Sequence, residues 1–452
     1  MLKKILKIVA AIIAVIVVLI LTTLALSLRV VDSTHFSKTD YYESTVERMK
    51  HILNAAPQAA PAELHIGVGK AGITPPIGIP LAGYGGRKGA PSRGVHDSLF
   101  VRVVALESGG QQAYIVGYDA LLLHPSVARR LEKKIKTHLS ISADRILYTA
   151  THTHSGPGGW GETWIDQQFA GPQDSIVATI FIDSTIAAVQ RAILNRQPGS
   201  FSSSSIDAPR YIRNRLIGDE GLVDDDIVYA MFQRNKKPAG LFATYSAHAT
   251  VMSERNMDMS GDYPGYFERA LESEFGGVAM FAAAGLGSHS YRGEGKGFVR
   301  AEFIGRGLAD SVNAHYDAAQ SHSDVALRAF RIPIDLAKMQ IRLTQKICLA
   351  PWLAKKLMKP EQAYLQVIAL NDFIIIGSPG EFSGELALRV KQAALEAGKN
   401  VTVTSFNGCY IGYVTPSEYY VMDKYETKLM SWFGGYTGDY LTDLMQHIVS
   451  NI

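Results

Sequence analysis

Cysteine is almost missing from this chain. Cys348 and Cys409 are the two among 452 residues, too few for a disulfide framework and without the paired spacing of a zinc ribbon. One bridge between them is compatible with the sequence, and free buried thiols are the expected state. Neither sign of charge dominates. The formal net charge is +3 and no basic block interrupts the body of the chain, which argues against nucleic acid as a partner. The usual hydrolase signatures are absent too. There is no H-E-x-x-H, no G-x-S-x-G elbow and no Walker A loop, which sets aside a zincin, a serine α/β-hydrolase and a P-loop NTPase. Gly67-Val68-Gly69-Lys70-Ala71-Gly72 does match G-x-G-x-x-G, but Ile73-Thr74-Pro75-Pro76 follows, and two prolines cannot open the helix that a dinucleotide fold needs there.

What remains is a globular composition, 47% hydrophobic and 19% charged, with length enough for one large or two ordinary domains. The N-terminus stands apart. Lys3, Lys4 and Lys7 precede an uncharged run from Ile8 to Leu28, closed by Arg29. At ~1.5 Å per residue this run reaches roughly 30 Å, the hydrocarbon thickness of a bilayer. A cleaved signal peptide has a shorter apolar core, of about 7–15 residues. Ala25-Leu26-Ser27 offers a cleavage site, but length favours an uncleaved signal anchor over residues 1–30. The flanking lysines hold its start in the cytoplasm, so the rest is expected outside, on the periplasmic or extracellular side. Residues 31–64 read as a linker, with one short helix near Tyr41–Leu53 and an Ala/Pro run from Ala55 to Ala62.

From His65 onward, short apolar runs alternate with helical patterns. Leu99–Leu106, Ala113–Asp119, Ile146–Ala150, Val278–Ala284, Phe373–Gly377 and Val401–Phe406 are expected strands. Pro125 opens a helix whose Val127, Leu131, Ile135 and Leu139 share a stripe. Further helices are expected over Ser175–Leu194 and Ser383–Ala397. The predicted class is α/β, mixed β-sheets flanked by helices, with one transmembrane helix in front. Leu336–Leu357 mixes Met339, Ile341, Ile347, Trp352 and Leu353 with Lys338, Arg342, Lys346, Lys355 and Lys356. It reads either as an amphipathic helix docked on the body or as a lid facing a membrane.

The chemistry gathers at strand ends. Thr151-His152-Thr153-His154-Ser155-Gly156-Pro157-Gly158-Gly159 carries two histidines at i and i+2 directly after Ile146–Ala150. On an extended chain that spacing puts both imidazoles on one face. Neutral imidazole is the commonest metal ligand and a proton carrier near pH 7. A chance pair satisfied by water is the competing reading. His248 ends the strand-like Gly240–Ala247, where a core histidine is the alternative. Glu381, in Ser378-Pro379-Gly380-Glu381-Phe382, lies between a strand and a helix, where it also suits the helix dipole. Tyr413 follows a strand into a loop and is otherwise a packed aromatic. Two or three histidines with one carboxylate make the usual ligand set of catalytic zinc, and a tyrosinate is a fitting extra oxygen.

These motifs resemble the neutral (alkaline) ceramidases, amidases that split ceramide into sphingosine and a fatty acid. The likeness runs from about His65 to the C-terminus. It includes Gly67-Val68-Gly69 with Ile73-Thr74-Pro75-Pro76, Pro80-Leu81-Ala82-Gly83-Tyr84-Gly85, and above all Thr151–Gly159. The resemblance implies a catalytic domain over residues 65–452, without the family's C-terminal β-sandwich. It implies Zn2+ held by His152, His248, Glu381 and Tyr413, with His154 as the catalytic histidine. Arg215 (in Asn214-Arg215) and Tyr425 line the site. Ser290 takes the place of the family's active-site serine, although Gly287-Ser288-His289-Ser290-Tyr291-Arg292 departs from the family's Gly-Asp-Val-Ser-Pro-Asn, and Gly72 stands where aspartate is common. The implied partners are a lipid substrate, ceramide or another N-acyl lipid, and the membrane itself. Two alternatives remain: hydrolysis of a different acyl or envelope amide at the same site, and a non-catalytic lipid-binding homologue.

Overall fold

In the computed structural model, which describes residues 2–55 and 60–452, three β-sheets pack around one shared core and each is backed by its own helices. The first sheet orders its strands Ile146–Ala150, Gln111–Tyr118, Phe100–Ser108, His65–Gly72 and Gln197–Pro198. The second runs Val278–Ala283, Lys237–Tyr245, Asp226–Arg234, Ser200–Asp207, and the third Leu327–Pro333, Tyr364–Leu370, Phe373–Gly377, Asn400–Thr404. The mixed α/β class expected from the sequence is the one observed.

Alternation along the strands explains the layering. In Phe100–Ser108, Val101, Val103 and Ala105 face the helices α3 (Pro125–Leu139) and α5 (Ser175–Leu194), while Val104 and Leu106 face the common centre. In Phe373–Gly377, Ile374 and Ile376 turn to α9 (Gly384–Glu396) and α10 (Thr437–Asn451), and Phe373 and Ile375 turn inward. The second sheet is backed by α6 (Asp262–Phe275) and α7 (Gly297–Asn313). Strands buried on both faces read as near-continuous apolar runs, as these do. Arg102 is the charged exception. It is 2% exposed and held by Asp119 (2.7 Å), Glu268 (2.8 Å) and Glu272 (2.9 Å), which ties the first sheet to α6.

Each large sheet contains one parallel pair, at its end: Gln111–Tyr118 with Ile146–Ala150, Lys237–Tyr245 with Val278–Ala283, and Phe373–Gly377 with Asn400–Thr404. The carboxyl ends of these strands lead toward one point, the position that binds ligands in open α/β sheets generally. Hydrogen bonds stitch the ends together: Ser405 N donates to Ala283 O (2.9 Å), and the buried hydroxyls of Thr244 and Thr402 lie 2.8 Å apart.

Several expectations change. The Gly67–Gly72 run is a strand, and its glycines serve packing: a Cβ on Gly67 or Gly69 would lie 1.8 or 2.0 Å from carbonyls of α5. The segment read as a linker is packed in its described parts. Helix α2 (Asp40–Ala55) buries Met49 and Thr45 against the third sheet's layer, and Ala62–Glu63 pairs with Asp324–Val325. Residues 56–59 of the Ala/Pro run lie outside the described residues. The Leu336–Leu357 segment is not one helix. It forms a strand, Ile347–Leu349, followed by α8 (Pro351–Met358), because Pro351 fits the first helical position and no earlier one. Cys348 and Cys409 are free and buried. Helix α1 (Leu2–Ser27) is long and apolar enough to cross a membrane and buries none of its side chains. Helix α5 passes the same length test but packs Val177, Phe181, Ile182 and Val189 into the core.

Candidate metal centre

The Ile146–Ala150 strand stops before the histidines, so a period of two is not what aligns them. His152 instead adopts a left-handed backbone conformation, φ 58°. Non-glycine residues seldom do so, and such strain gathers at functional sites. That turn brings His152 Nε2 to 3.3 Å from His154 Nε2. The following loop is fastened to its neighbours: His154 N donates to Ala249 O, and Thr153 Oγ1 to Ser260 O. His248 arrives from the second sheet with its Nε2 3.2 Å from His154 Nε2. Glu381 arrives from the third, with Oε2 3.6 Å from His152 Nε2 and 3.9 Å from His248 Nε2.

The other ring nitrogens distinguish the three histidines. His152 Nδ1 donates to Leu121 O at 2.7 Å, and His248 Nδ1 lies 3.5 Å from Leu286 O. With the proton held there, both Nε2 lone pairs face the centre, the arrangement typical of metal-bound histidine. His154 Nδ1 is buried with no hydrogen-bond partner. Burial, then the neighbouring imidazole and the guanidinium groups, holds His154 well below the usual imidazole range. Burial, then Arg215 and the imidazoles, does the same to His248. Burial pushes Glu381 up, but His152 and its hydrogen bonds outweigh that, and the carboxyl sits below its usual range.

Neutral imidazoles beside an ionised carboxylate are the protonation states that a cation requires. One atom of each of His152, His154 and His248 lies within 4.8 Å of the others, and Glu381 Oε2 is buried without a hydrogen-bond donor. Leaving such lone pairs unpaired is costly. The donor set fits a divalent ion.

Tyr413 sits beside Glu381 through parallel pairing of Glu381–Phe382 with Tyr413–Val414. Its hydroxyl accepts from Arg215 Nη2 at 3.1 Å, and burial, then Glu381, pushes the phenol up. Arg215 is also 3.3 Å from Glu426 and follows the short strand Ile212–Asn214, which pairs with His289–Tyr291 and so sets Ser290 opposite Arg213. Tyr425 is 45% exposed and meets Tyr413 edge-on, 5.8 Å between ring centres. All eight residues singled out in the sequence border one cavity of about 810 Å³.

Sequence reasoning passed over several neighbours. Tyr410 donates to Glu381 Oε1 at 2.6 Å, and Phe406 stacks on His152 at 4.2 Å. Tyr84 meets His154 at a tilt, 4.7 Å between ring centres, and Arg87 donates to the His154 carbonyl. Ser288 and His289, beside Ser290, are buried in a network with Glu385, Asn214 and Asp224 that braces the Arg215 strand from behind. Tyr84 lay within a segment already noted, but a lone tyrosine, there or at 410, carries no signal that separates support from packing.

A sequence profile of the neutral/alkaline non-lysosomal ceramidases, N-terminal part, matches residues 64–299, more than half of the chain. Among characterised proteins, the chain is 23% identical to neutral ceramidase of Pseudomonas aeruginosa, over 80% of this chain and 68% of the relative. It is 25% identical to neutral ceramidase 2 of Arabidopsis thaliana and to neutral ceramidase of Mycobacterium tuberculosis, spanning about a third of the length of each, 30% and 34%. The crystal structure of the Pseudomonas aeruginosa neutral ceramidase superposes with a TM-score of 0.75 at 20% identity, covering 86% of this chain and 74% of that one. At that identity the likeness is one of fold.

Proposed function

The chain belongs to the neutral/alkaline non-lysosomal ceramidase family, and from that premise we propose that it is a membrane-anchored, zinc-dependent amidase. Its substrate is ceramide or a related N-acyl lipid, which it splits into a long-chain amine and a fatty acid. The observation that carries this reading is the meeting of His152, His248 and Glu381, from three different sheets, around lone pairs with no other partner. His152, His248, Glu381 and Tyr413 would hold the ion. The chemistry the bound ion supplies is Lewis acidity: water that ionises near neutral pH and a polarised acyl carbonyl.

The remaining steps belong to the chain. His154 takes the proton from the attacking water at one ring nitrogen and delivers it to the departing amine nitrogen as the C–N bond breaks. Arg215, Tyr425 and Ser290 face the developing oxyanion, where one well-placed donor contributes about 3–4 kcal/mol. Tyr410 holds Glu381 in orientation. Trp160, Ile165, Phe169 and Met358 give the cavity an apolar wall for an acyl chain. In this reading α1 is an uncleaved signal anchor, and residues 65–452 form the catalytic domain on the non-cytoplasmic side.

The test is hydrolysis of a fluorescent N-acylsphingosine by the full chain. Chelation should abolish turnover and added zinc should restore it; full activity after complete metal removal rejects the mechanism. A second expectation concerns Gly83, whose φ is +107° and whose missing Cβ would fall 2.5 Å from His154 Nδ1. Gly83→Ala must push the ring aside, and a misplacement of that size costs about 100-fold. The loss should appear in kcat, with zinc content unchanged.

A second reading keeps the site and changes the amide. Glu162, Asp166 and Glu254 border the same cavity together with Arg129 and Lys359, a charged rim that suits an N-acyl substrate bearing a strongly polar group. Relative kcat/KM across a panel of acyl amides separates the two.

A further inference from the structure

The chain leaving α1 does not hang free. Leu28–Val30 pairs antiparallel with Ile347–Leu349, register Leu28 to Leu349 and Val30 to Ile347. Ala350 N donates to Ser27 O at 2.7 Å, and the indole of Trp352 donates to Leu26 O at 2.9 Å. The last turn of α1 is therefore hydrogen-bonded to the start of α8. At the end of α8 and just beyond it, Met358, Lys359, Pro360 and Glu361 form part of the cavity's border, where Glu361 is clasped by Arg129 at 3.0 Å. The root of this flap also holds the loop that carries Tyr425: Arg342 Nη2 donates to Met422 O at 2.7 Å. One rigid connection runs from the apolar N-terminal helix to the mouth of the site.

The outer surface of the flap has a consistent chemistry. Lys338, Lys346, Lys355, Lys356 and Lys359 are exposed, and no Asp or Glu occurs from Leu336 to Pro360. Among them Leu343 is 38% and Trp352 53% exposed. Trp164 on α4 (Trp164–Ala170), which packs against α8, is 67% exposed. If α1 spans a bilayer, its C-terminal Leu26 and Ser27 lie at the hydrocarbon boundary, so Trp352 lies there too. That is the depth at which tryptophan is enriched. Lysines just above it meet the headgroups, and each one near an anionic surface strengthens binding by about a factor of five.

We propose that the 338–361 flap is a bilayer-docking element for an anionic leaflet, seating the cavity mouth on the membrane so that a lipid amide passes from the leaflet into the site beneath α8. The proposal rests on α1 being a membrane anchor and on the lipid-amide reading of the site. A bilayer is the occupant continuous with α1, whose last turn is hydrogen-bonded to this flap.

The experiment uses the full chain in nanodiscs of phosphatidylcholine, with or without phosphatidylglycerol. Vesicle flotation after an alkaline wash reports the anchor. Quenching of tryptophan fluorescence by brominated acyl chains, compared between the unaltered chain and Trp352→Phe, reports docking and does not depend on turnover. The expected result is quenching of which a distinct part vanishes in Trp352→Phe. The double variant Lys355→Gln/Lys356→Gln should turn over disc-embedded substrate up to about 25-fold more slowly on anionic discs, with turnover of a water-soluble short-chain amide unchanged. An anchored chain whose Trp352 is untouched by brominated lipid overturns the proposal. So does a Trp352 signal that follows protein concentration instead of lipid, which would assign the face to a second copy. A chain that fails to float removes the anchor itself, and a chain that docks without cleaving any amide fails only the catalytic reading.

Discussion

His154→Gln is expected to retain bound zinc and lose about 10²–10⁴-fold in kcat, the range for removing a positioned proton carrier. His152→Ala and His248→Ala are expected to lose the ion as well as the activity. The Nε2 of His154 lies 3.3 Å from that of His152 and 3.2 Å from that of His248, so distance alone does not set His154 apart from the other two. Their far nitrogens do. His152 and His248 face backbone carbonyls through Nδ1, which directs a lone pair inward. His154 Nδ1 has no partner, so its ring is free to carry a proton in either tautomer. Zinc content by atomic absorption, measured beside kcat for each purified variant, distinguishes the roles. A His154→Gln protein that no longer holds zinc would make His154 a third ligand and leave the proton step without an owner.

The second large effect concerns stability. Arg102→Met is expected to destabilise the fold by about 3–5 kcal/mol, the cost of removing one partner from a buried ion pair. Here a single guanidinium faces Asp119, Glu268 and Glu272, and its own exposure is 2%. Burial and the adjacent Asp119 already push Glu268 well above the usual carboxylate range, with Arg102 opposing them. Losing the arginine leaves that repulsion uncompensated. Denaturant midpoints at unchanged m-value measure the loss. The double variant Arg102→Met/Glu268→Gln should fall short of the sum of the single changes, because the second substitution removes one of the stranded charges. Additive losses would mean that the cluster is not coupled as its geometry indicates.

Much of the body was legible because its signals are local. Period-3.6 stripes marked α3, and Ser175–Leu194 spans the same residues in the chain as in the pattern. Strands buried on both sides announced themselves as apolar runs. The Thr151–Gly159 motif was found for its residues, but the stated reason, a shared strand face, was not the operative one. A left-handed backbone at His152 does the work, and nothing in a histidine signals positive φ. Tyr410, three residues before Tyr413, escaped notice because which tyrosine meets Glu381 is decided by strand register between distant segments. Of the two readings of Leu336–Leu357, the single docked helix failed because its charges and apolar residues mimic an amphipathic period, while pairing with Leu28–Val30, over 300 positions away, makes part of it a strand.

The three-sheet convergence has a consequence for how the protein matures. Among the described residues, no sheet contains more than a share of the proposed ligands, and no two of those sheets form the full set. In the proposed zinc-amidase reading, metal uptake is therefore a late event, gated on completed assembly. A nascent chain that has folded only its first two sheets holds the histidines without the carboxylate, and it should bind zinc weakly and reversibly until the final third is synthesised. Retention of the proposed ion would thus be a built-in readout of structural completeness, and destabilising substitutions remote from the centre should first be noticed as a leak of metal.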